Sequence, residues 1–164
     1  MTDIAGAFAP VPTPLGQGLV FDPKAQAVHL KWLASEGLDG ALILGTNGEF
    51  PSLSLDERRS VAEGAVAADS GLGLILGIGS CALPEALAMV DLGVSLGYDA
   101  VLCPPPFYFR SASAEGIAAF FLEILERSAL PVLLYHIPQV TGVPISNEVL
   151  DLLDGHQNLA GVKD

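Results

Sequence analysis

Residues 72–102 read LGLILGIGSCALPEALAMVDLGVSLGYDAVL and contain the unit from which the rest of the chain is built. An apolar run over 72–78 leads into a segment of helical character over 82–96, and a second apolar run follows at 100–102. Continuous apolar runs of this kind are typical of strands in a parallel sheet that is covered on both faces. The stretch therefore predicts a strand, a crossover helix and a second, parallel strand.

The same rhythm recurs along the whole chain, with strand starts roughly 25 to 35 residues apart. Strands are predicted at 4–9, 40–44, 72–78, 100–102, 131–135 and 159–162, and helices at 22–36, 54–69, 82–96, 113–128 and 146–154. Capping residues support the helix boundaries: Asp22, the box of Ser54 and Glu57, Gly37 and Gly97. No break in composition marks a linker, so one domain over residues 1–164 is expected.

Two architectures repeat parallel βα units: a doubly wound open sheet and a closed (β/α)8 barrel. The dinucleotide-binding glycine pattern does not follow the first strand, since the glycines at 16 and 18 have no third glycine in place, and this weakens the open sheet. Residues 77–80, Gly-Ile-Gly-Ser, could hold a phosphate at a helix N-terminus. No lysine follows them, so a tight turn between strand and helix is favoured.

Charge and cysteine content exclude several classes of partner. The 164 residues carry 7 Lys and Arg against 19 Asp and Glu, a net charge of −12, so neither nucleic acid nor an anionic membrane is expected as a partner. No apolar run approaches the roughly 20 residues of a membrane span, and no basic leader precedes one. Cys81 and Cys103 lie far apart, in no metal-ligand spacing. We expect a soluble, cytoplasmic protein whose thiols pack as small apolar groups, with no metal site.

Reactive side chains follow the carboxyl ends of four predicted strands. In a parallel barrel these ends meet on one face, where active sites are built. The residues are Thr46, Asn47 and Glu49 after the second strand, Tyr108 and Arg110 after the fourth, Tyr135 and His136 at the fifth, and Lys163 and Asp164 at the sixth.

Lys163 ends the apolar run 159–162, so its stem should emerge into a partly desolvated site. Desolvation favours a neutral amine, which can attack a carbonyl; the alternative is a lysine that reaches out to solvent. Tyr135 ends the neighbouring strand, about 5 Å away, where its phenol can carry protons; the alternative is a tyrosine at the edge of the core. His136 should point to the opposite side, and a structural role is favoured for it.

Two loops are candidates for binding. The loop GTNGEF at 45–50 offers hydroxyl, amide and backbone N–H donors and can hold a carboxylate, although an ordinary polar turn is the alternative. The proline-rich segment 103–108 presents aromatic rings, and a lining role or an oligomer contact is weighed equally with a role in catalysis. Four residues elsewhere have no partner at useful spacing and are interpreted as surface residues: Asp39, Asp99, His29 and His156.

Four motifs, in this order and spacing, resemble one known family: GTNGEF at 45–50, PPFYFR at 105–110, YHIPQVTG at 135–142 and GVKD at 161–164. The start AFAPVPTPL, residues 7–15, looks like the first strand and loop of the same family. The resemblance is to the dihydrodipicolinate synthase/N-acetylneuraminate lyase superfamily of class I, pyruvate-type aldolases. It implies an α/β fold, a (β/α)8 TIM barrel of which this chain covers about the first six strands.

The resemblance also implies roles for individual residues. Lys163 matches the Schiff-base lysine, Tyr135 the proton-relaying tyrosine, and Thr46 the hydroxyl that links this tyrosine into a relay. Tyr108 matches a tyrosine lent across a dimer interface, and Asn47 with the surrounding backbone matches the site for the pyruvyl carboxylate. The implied enzyme is a homo-oligomer, a dimer or tetramer, that acts on a small 2-oxo acid without a metal or diffusible cofactor.

Two positions depart from the pattern of the dihydrodipicolinate synthases. Asn47 stands where they commonly have a second threonine, and Val140 stands where they have the arginine that binds the carboxylate of the aldehyde substrate. The form GTNGEF looks more like 4-hydroxy-2-oxoglutarate aldolases and related keto-deoxy acid lyases. A lyase is therefore favoured over a synthase of lysine biosynthesis.

The sequence ends one residue after Lys163, with six predicted strands where a closed barrel has eight. An open barrel would expose apolar strand edges, so we expect the physiological chain to run to roughly 250 residues or more. The alternative, from another class, is a catalytically inactive barrel fragment. The mass of the natural polypeptide separates the two.

Overall fold

Six strands form one parallel sheet in which each strand lies beside its neighbours in sequence. A doubly wound sheet would reverse its strand order in the middle, and this one does not. The fold is that of the first six strands of a (β/α)8 barrel. The computed structural model describes residues 4–164, and the strands are β1 Phe8–Pro10, β2 Gly40–Ile43, β3 Gly73–Gly77, β4 Ala100–Cys103, β5 Val132–Tyr135 and β6 Leu159–Lys163.

The helices begin and end close to the predicted capping residues. Asp22 accepts two backbone N–H groups of the first turn that follows it, and Ser54 and Glu57 form the predicted capping box. Gly37 and Gly97 adopt φ values of +83° and +76° just beyond two helix ends, a region that glycine tolerates best. The helices are α1 Pro23–Ser35, α2 Leu55–Ala67, α3 Leu83–Leu96, α4 Ala114–Arg127, α5 Pro138–Thr141 and α6 Asn147–Leu153.

The structure differs from the predicted elements at the first strand and in three short helical turns. β1 begins at Phe8 rather than at residue 4, because Gly6 has a φ of +108° that breaks the extended run. The single-turn helices at Gln17–Leu19 and Phe50–Ser52 and the four-residue α5 were not predicted, because segments this short show no helical periodicity. Residues 1–3 of the domain predicted over 1–164 lie outside the described residues.

Alternate strand residues face opposite sides of the sheet and belong to two separate clusters. The outer face packs against the helices and contains most of the buried core, including Cys103, whose thiol pKa is raised by burial. The inner face has a smaller cluster, which consists of Leu42, Ile75, Ala100, Leu102 and Tyr135. Cys103 thus packs as an apolar group, as predicted, whereas Cys81 is only half-buried. Within residues 4–164, no helix is long and apolar enough to span a membrane.

The prediction that Asp39 and Asp99 lack partners is wrong. The carboxylate of Asp39 accepts the N–H of Ala7 at 2.7 Å, and that of Asp99 accepts the N–H of Leu74 at 2.8 Å. Asp39 directly precedes β2 and binds the residue just before β1, whereas Asp99 directly precedes β4 and binds a residue of β3. Both therefore fasten the amino ends of the strands, at the end of the sheet away from the candidate site. His156 also has a partner, since its Nδ1 accepts a backbone N–H two residues further on.

Candidate active site

Three predicted site residues, Thr46, Tyr135 and Lys163, meet at the carboxyl ends of the strands. The hydroxyl of Tyr135 and Oγ1 of Thr46 are 3.2 Å apart, so either can donate a hydrogen bond to the other. Nζ of Lys163 lies 4.3 Å from the centre of the Tyr135 ring, over its face. The phenol thus lies between a hydroxyl on one side and an amine on the other, the arrangement needed to pass protons next to a nucleophile.

The placement of Lys163 depends on one extra residue in β6. Val132 pairs with Leu159, but the next residue of β5 pairs with Gly161, so Ala160 is skipped. Beyond this irregularity Tyr135 pairs directly with Lys163, and both side chains face the interior of the barrel. Without the skip, each following residue of β6 would face the opposite side.

Gly161 makes this irregularity possible. Its φ is +152°, within the region that side chains other than glycine rarely adopt. Gly161 directly follows the unpaired Ala160, and a bulge of this kind re-aims the side chains that follow it, often next to functional sites. The backbone beyond the bulge is then fixed by the N–H of His136, which donates to the carbonyl of Lys163 at 2.8 Å.

The loop after β2 carries Thr46 and is held by contacts with the chain beyond β1. The hydroxyl of Thr13 donates to the carbonyl of Gly48 at 2.7 Å, and Nδ2 of Asn47 points to the carbonyl of Pro10 at 3.4 Å. Within residues 4–164, the backbone N–H groups of Thr46 and Asn47 donate to no acceptor. Two adjacent free N–H donors beside a hydroxyl can bind an anionic oxygen without a net positive charge.

A cavity of about 220 Å³ opens beside the Thr46 and Tyr135 hydroxyls. Its walls are mostly apolar and come from the loops after β2, β4 and β5. Val140 is one of the lining residues and is 59% exposed. The remaining lining residues are Glu49, Phe50, Pro51, Ser52, Pro104, Phe107, Ile137 and Thr141.

Tyr108 does not join this group within one chain. Its side chain is 79% exposed, its ring packs edge-on against Phe109 at 5.3 Å, and its backbone N–H points to Sγ of Cys81 at 3.4 Å. The aromatic segment after β4 thus divides: Phe107 lines the cavity, whereas Tyr108 and Phe109 present their rings to the surface.

His136 makes a structural contact, as expected: its Nδ1 accepts the N–H of Ile145 at 3.1 Å. In the turn over residues 77–80, Gly79 lies so close to Phe50 that an added Cβ would be 2.5 Å from the ring. Among residues 4–164, no three His, Cys, Asp or Glu side chains are grouped to hold a metal ion.

The six consecutive parallel strands, with polar residues at their carboxyl ends, define the class of (β/α)8-barrel proteins that build a site on that face. The dihydrodipicolinate synthetase family matches residues 3–164, and the chain belongs to it. This confirms the resemblance carried by the four motifs.

Individual relatives agree with this assignment. An uncharacterized DapA-like lyase of Chloroflexus aurantiacus is 44% identical over 83% of this chain and 47% of its own length. A 4-hydroxy-tetrahydrodipicolinate synthase of Agrobacterium fabrum is 34% identical over 97% of this chain and 54% of its own. A similar solved structure is the crystal structure of YagE, an Escherichia coli K12 prophage protein of the dihydrodipicolinic acid synthase family, in complex with pyruvate. It superposes on this chain with a TM-score of 0.93 at 27% identity. The match covers 98% of this chain and 54% of that one. The chain thus spans about half the length of the relatives that it matches.

Proposed function

We propose that the protein is a carbon–carbon lyase, a class I aldolase that forms a Schiff base with a 2-oxo acid through Lys163. Pyruvate is the product of cleavage or the donor in the reverse addition. The observation that carries the proposal is the position of the Lys163 amine over the ring of Tyr135, whose hydroxyl is within hydrogen-bond distance of Thr46. The favoured substrates are 4-hydroxy-2-oxoglutarate or a 2-keto-3-deoxy sugar acid.

The reaction begins with attack of the neutral Lys163 amine on the C2 ketone. Loss of water gives an iminium, which accepts the electron pair of the C3–C4 bond when that bond breaks. Tyr135 takes the proton of the C4 hydroxyl as its own phenolic proton passes through Thr46 to solvent, so an aldehyde leaves and an enamine remains. Protonation of the enamine at C3 and hydrolysis release pyruvate and restore the amine. No metal or diffusible cofactor enters these steps.

Thr46 serves two steps in this scheme. Its hydroxyl exchanges protons with the hydroxyl of Tyr135. Its backbone N–H, together with that of Asn47, binds the carboxylate of the 2-oxo acid. Local donors are needed for this because the chain carries a net charge of −12, which repels anions at long range.

Tyr108 belongs to the site of a second copy in this proposal. The ring is 79% exposed on its own chain, and the cavity beside Thr46 is lined by apolar side chains that an aromatic residue can contact. The proposed assembly is a homo-oligomer, a dimer or a tetramer, in the cytoplasm, and a single catalytic domain is proposed to include residues 1–164.

A second candidate function, 4-hydroxy-tetrahydrodipicolinate synthase, is favoured by the names of several relatives, one of them 34% identical. Val140 argues against it, because an apolar side chain lines the cavity where that reaction needs a cation for a second carboxylate. A catalytically inactive fragment is the remaining alternative.

Release of pyruvate from a panel of 2-oxo acids tests these alternatives in the complete natural polypeptide. We expect release from a 4-hydroxy-2-oxo acid, loss of release in Lys163→Ala and normal release in Lys31→Ala, which alters an exposed lysine of α1. Condensation of pyruvate with aspartate semialdehyde, without cleavage of any panel member, would identify a synthase. If neither cleavage nor condensation is observed, the result would identify the inactive fragment.

A further inference from the structure

The loop that carries Thr46 has an unfavourable backbone conformation. Leu44 and Glu49 lie on either side of Thr46 with φ values of +58° and +52°, although neither is glycine. Left-handed residues with a side chain persist only where the surrounding structure holds them. Thr13 holds the loop on the β1 side through its bond to Gly48. A second anchor is required where the loop runs on towards α2.

Arg58, near the start of α2, supplies this anchor. Its Nε donates to the carbonyl of Leu53 at 3.0 Å, and its Nη1 donates to the carbonyl of Gly79 at 2.9 Å. One half-buried guanidinium thereby joins the end of the β2 loop to the turn after β3. The guanidinium carbon also lies 5.5 Å from the centre of the Phe50 ring, in a cation–π contact. A guanidinium provides donors in a fixed, planar arrangement together with a flat face that can stack on an aromatic ring.

Phe50 connects this anchor to the site. Its ring is buried, covers Gly79 and meets the ring of Phe107 edge-on at 6.1 Å. It lines the same cavity as Thr46 and Tyr135 and follows Thr46 by four residues. Phe50 thus belongs both to the loop that carries Thr46 and to the wall of the cavity beside the Thr46 and Tyr135 hydroxyls.

We infer that Arg58 is a positioning residue for proton transfer: it holds the β2 loop so that Oγ1 of Thr46 stays within hydrogen-bond distance of the Tyr135 hydroxyl. This inference rests on the proposed function. Arg58 touches neither the amine of Lys163 nor the phenol, so it affects the movement of protons without affecting formation of the iminium.

Two measurements on the complete natural polypeptide with pyruvate alone separate these steps. Borohydride traps the iminium on Lys163, whereas exchange of the pyruvate methyl protons in deuterated water requires proton transfer at C3. In Arg58→Ala the adduct yield at saturating pyruvate should stay within about twofold of wild type, while the exchange rate falls about 10- to 100-fold. Arg58→Lys keeps the charge but not the paired donors, so its exchange rate should lie between that of wild type and that of Arg58→Ala.

Arg59→Ala is the matched control, because this neighbouring arginine is exposed and its loss should leave both measurements at the wild-type level. Gly79→Ala provides an independent test, since its added Cβ displaces Phe50 while the guanidinium remains, and the same separation of adduct and exchange is expected. If Arg58→Ala does not fold, Arg58→Lys and Gly79→Ala decide the question.

Exchange at the wild-type rate in the folded variants would overturn the inference. A parallel loss of adduct and exchange, in proportion to the folded fraction seen by circular dichroism, would also overturn it, because that is the result of a purely structural role. Wild-type protein without any adduct would instead overturn the proposed function and the inference with it. The two failures are therefore distinguishable.

Discussion

The hydroxyl of Tyr135 lies 3.2 Å from Oγ1 of Thr46, a residue 89 positions earlier in the chain. The contact joins the end of β5 to the loop after β2, across the carboxyl end of the sheet. It leaves the ring of Tyr135 free to lie under the Lys163 amine on its other side. The proposed proton route through Thr46 and Tyr135 would therefore draw on two strands that are not neighbours in the sheet.

Thr46→Val keeps the shape of the side chain and removes the hydroxyl from this route. We expect pyruvate still to form an adduct with Lys163, because the nucleophile is unchanged, while cleavage slows about 100-fold or more. Thr46→Ser restores a hydroxyl and should recover most of the rate. Steady-state kinetics with the substrate found in the panel checks this, and a normal rate in Thr46→Val would show that the hydroxyl carries no proton.

Gly161→Ala tests the bulge that turns Lys163 inward. A side chain at a φ of +152° is strained, which should lower the free energy of unfolding by about 1 to 3 kcal/mol. Relaxation of the strain re-aims Lys163, so the yield of trapped adduct should fall as well. Gly116→Ala, within α4 and without a close contact for the new Cβ, is the control. Denaturant titration gives the first quantity, and unchanged stability in Gly161→Ala would contradict the strain.

Glu57→Gln tests the capping box of α2. Hydrogen bonds from Ser54 hold the pKa of Glu57 below its ordinary value near 4.5. The ionised carboxylate therefore stabilises the fold fully above about pH 4.5, and this contribution is lost as the pH falls through the lowered pKa. As the pH falls below about 4.5, the thermal midpoint should fall less steeply in Glu57→Gln than in wild type. The same slope in both proteins would contradict this, and Glu63→Gln, exposed on the same helix, is the control.

Tyr98→Phe tests a buried contact between α2 and the turn that joins α3 to β4. The hydroxyl of Tyr98 donates to the carbonyl of Ala62 at 2.9 Å, and burial raises the pKa of this phenol. Loss of the bond should lower the free energy of unfolding by about 1 kcal/mol. Denaturant titration of Tyr98→Phe and wild type measures this difference. Equal stability of the two proteins would show that the buried bond makes no net contribution.

The sequence predicted the strands and the residues at their ends because a continuous apolar run and the side chain that follows it are local features. Thr46, Tyr135 and Lys163 were found in this way, and the four motifs added their roles. The bulge at Ala160 was not predictable, because it is visible only in the register of hydrogen-bonded residues between β5 and β6. Arg58 was missed for a similar reason: its acceptors are carbonyls set by tertiary packing, and a carbonyl carries no signal in the sequence.

The proposed nucleophile can be tested directly in the complete natural polypeptide. The protein is reduced by borohydride in the presence of pyruvate and then analysed by mass spectrometry. We predict a pyruvyl adduct on Lys163, no adduct and no turnover in Lys163→Ala, and in Tyr135→Phe some adduct with a rate lowered about 100- to 10,000-fold. Lys31→Ala should form as much adduct as wild type. An adduct on any other residue, or none at saturating pyruvate with active protein, would contradict the Schiff-base mechanism.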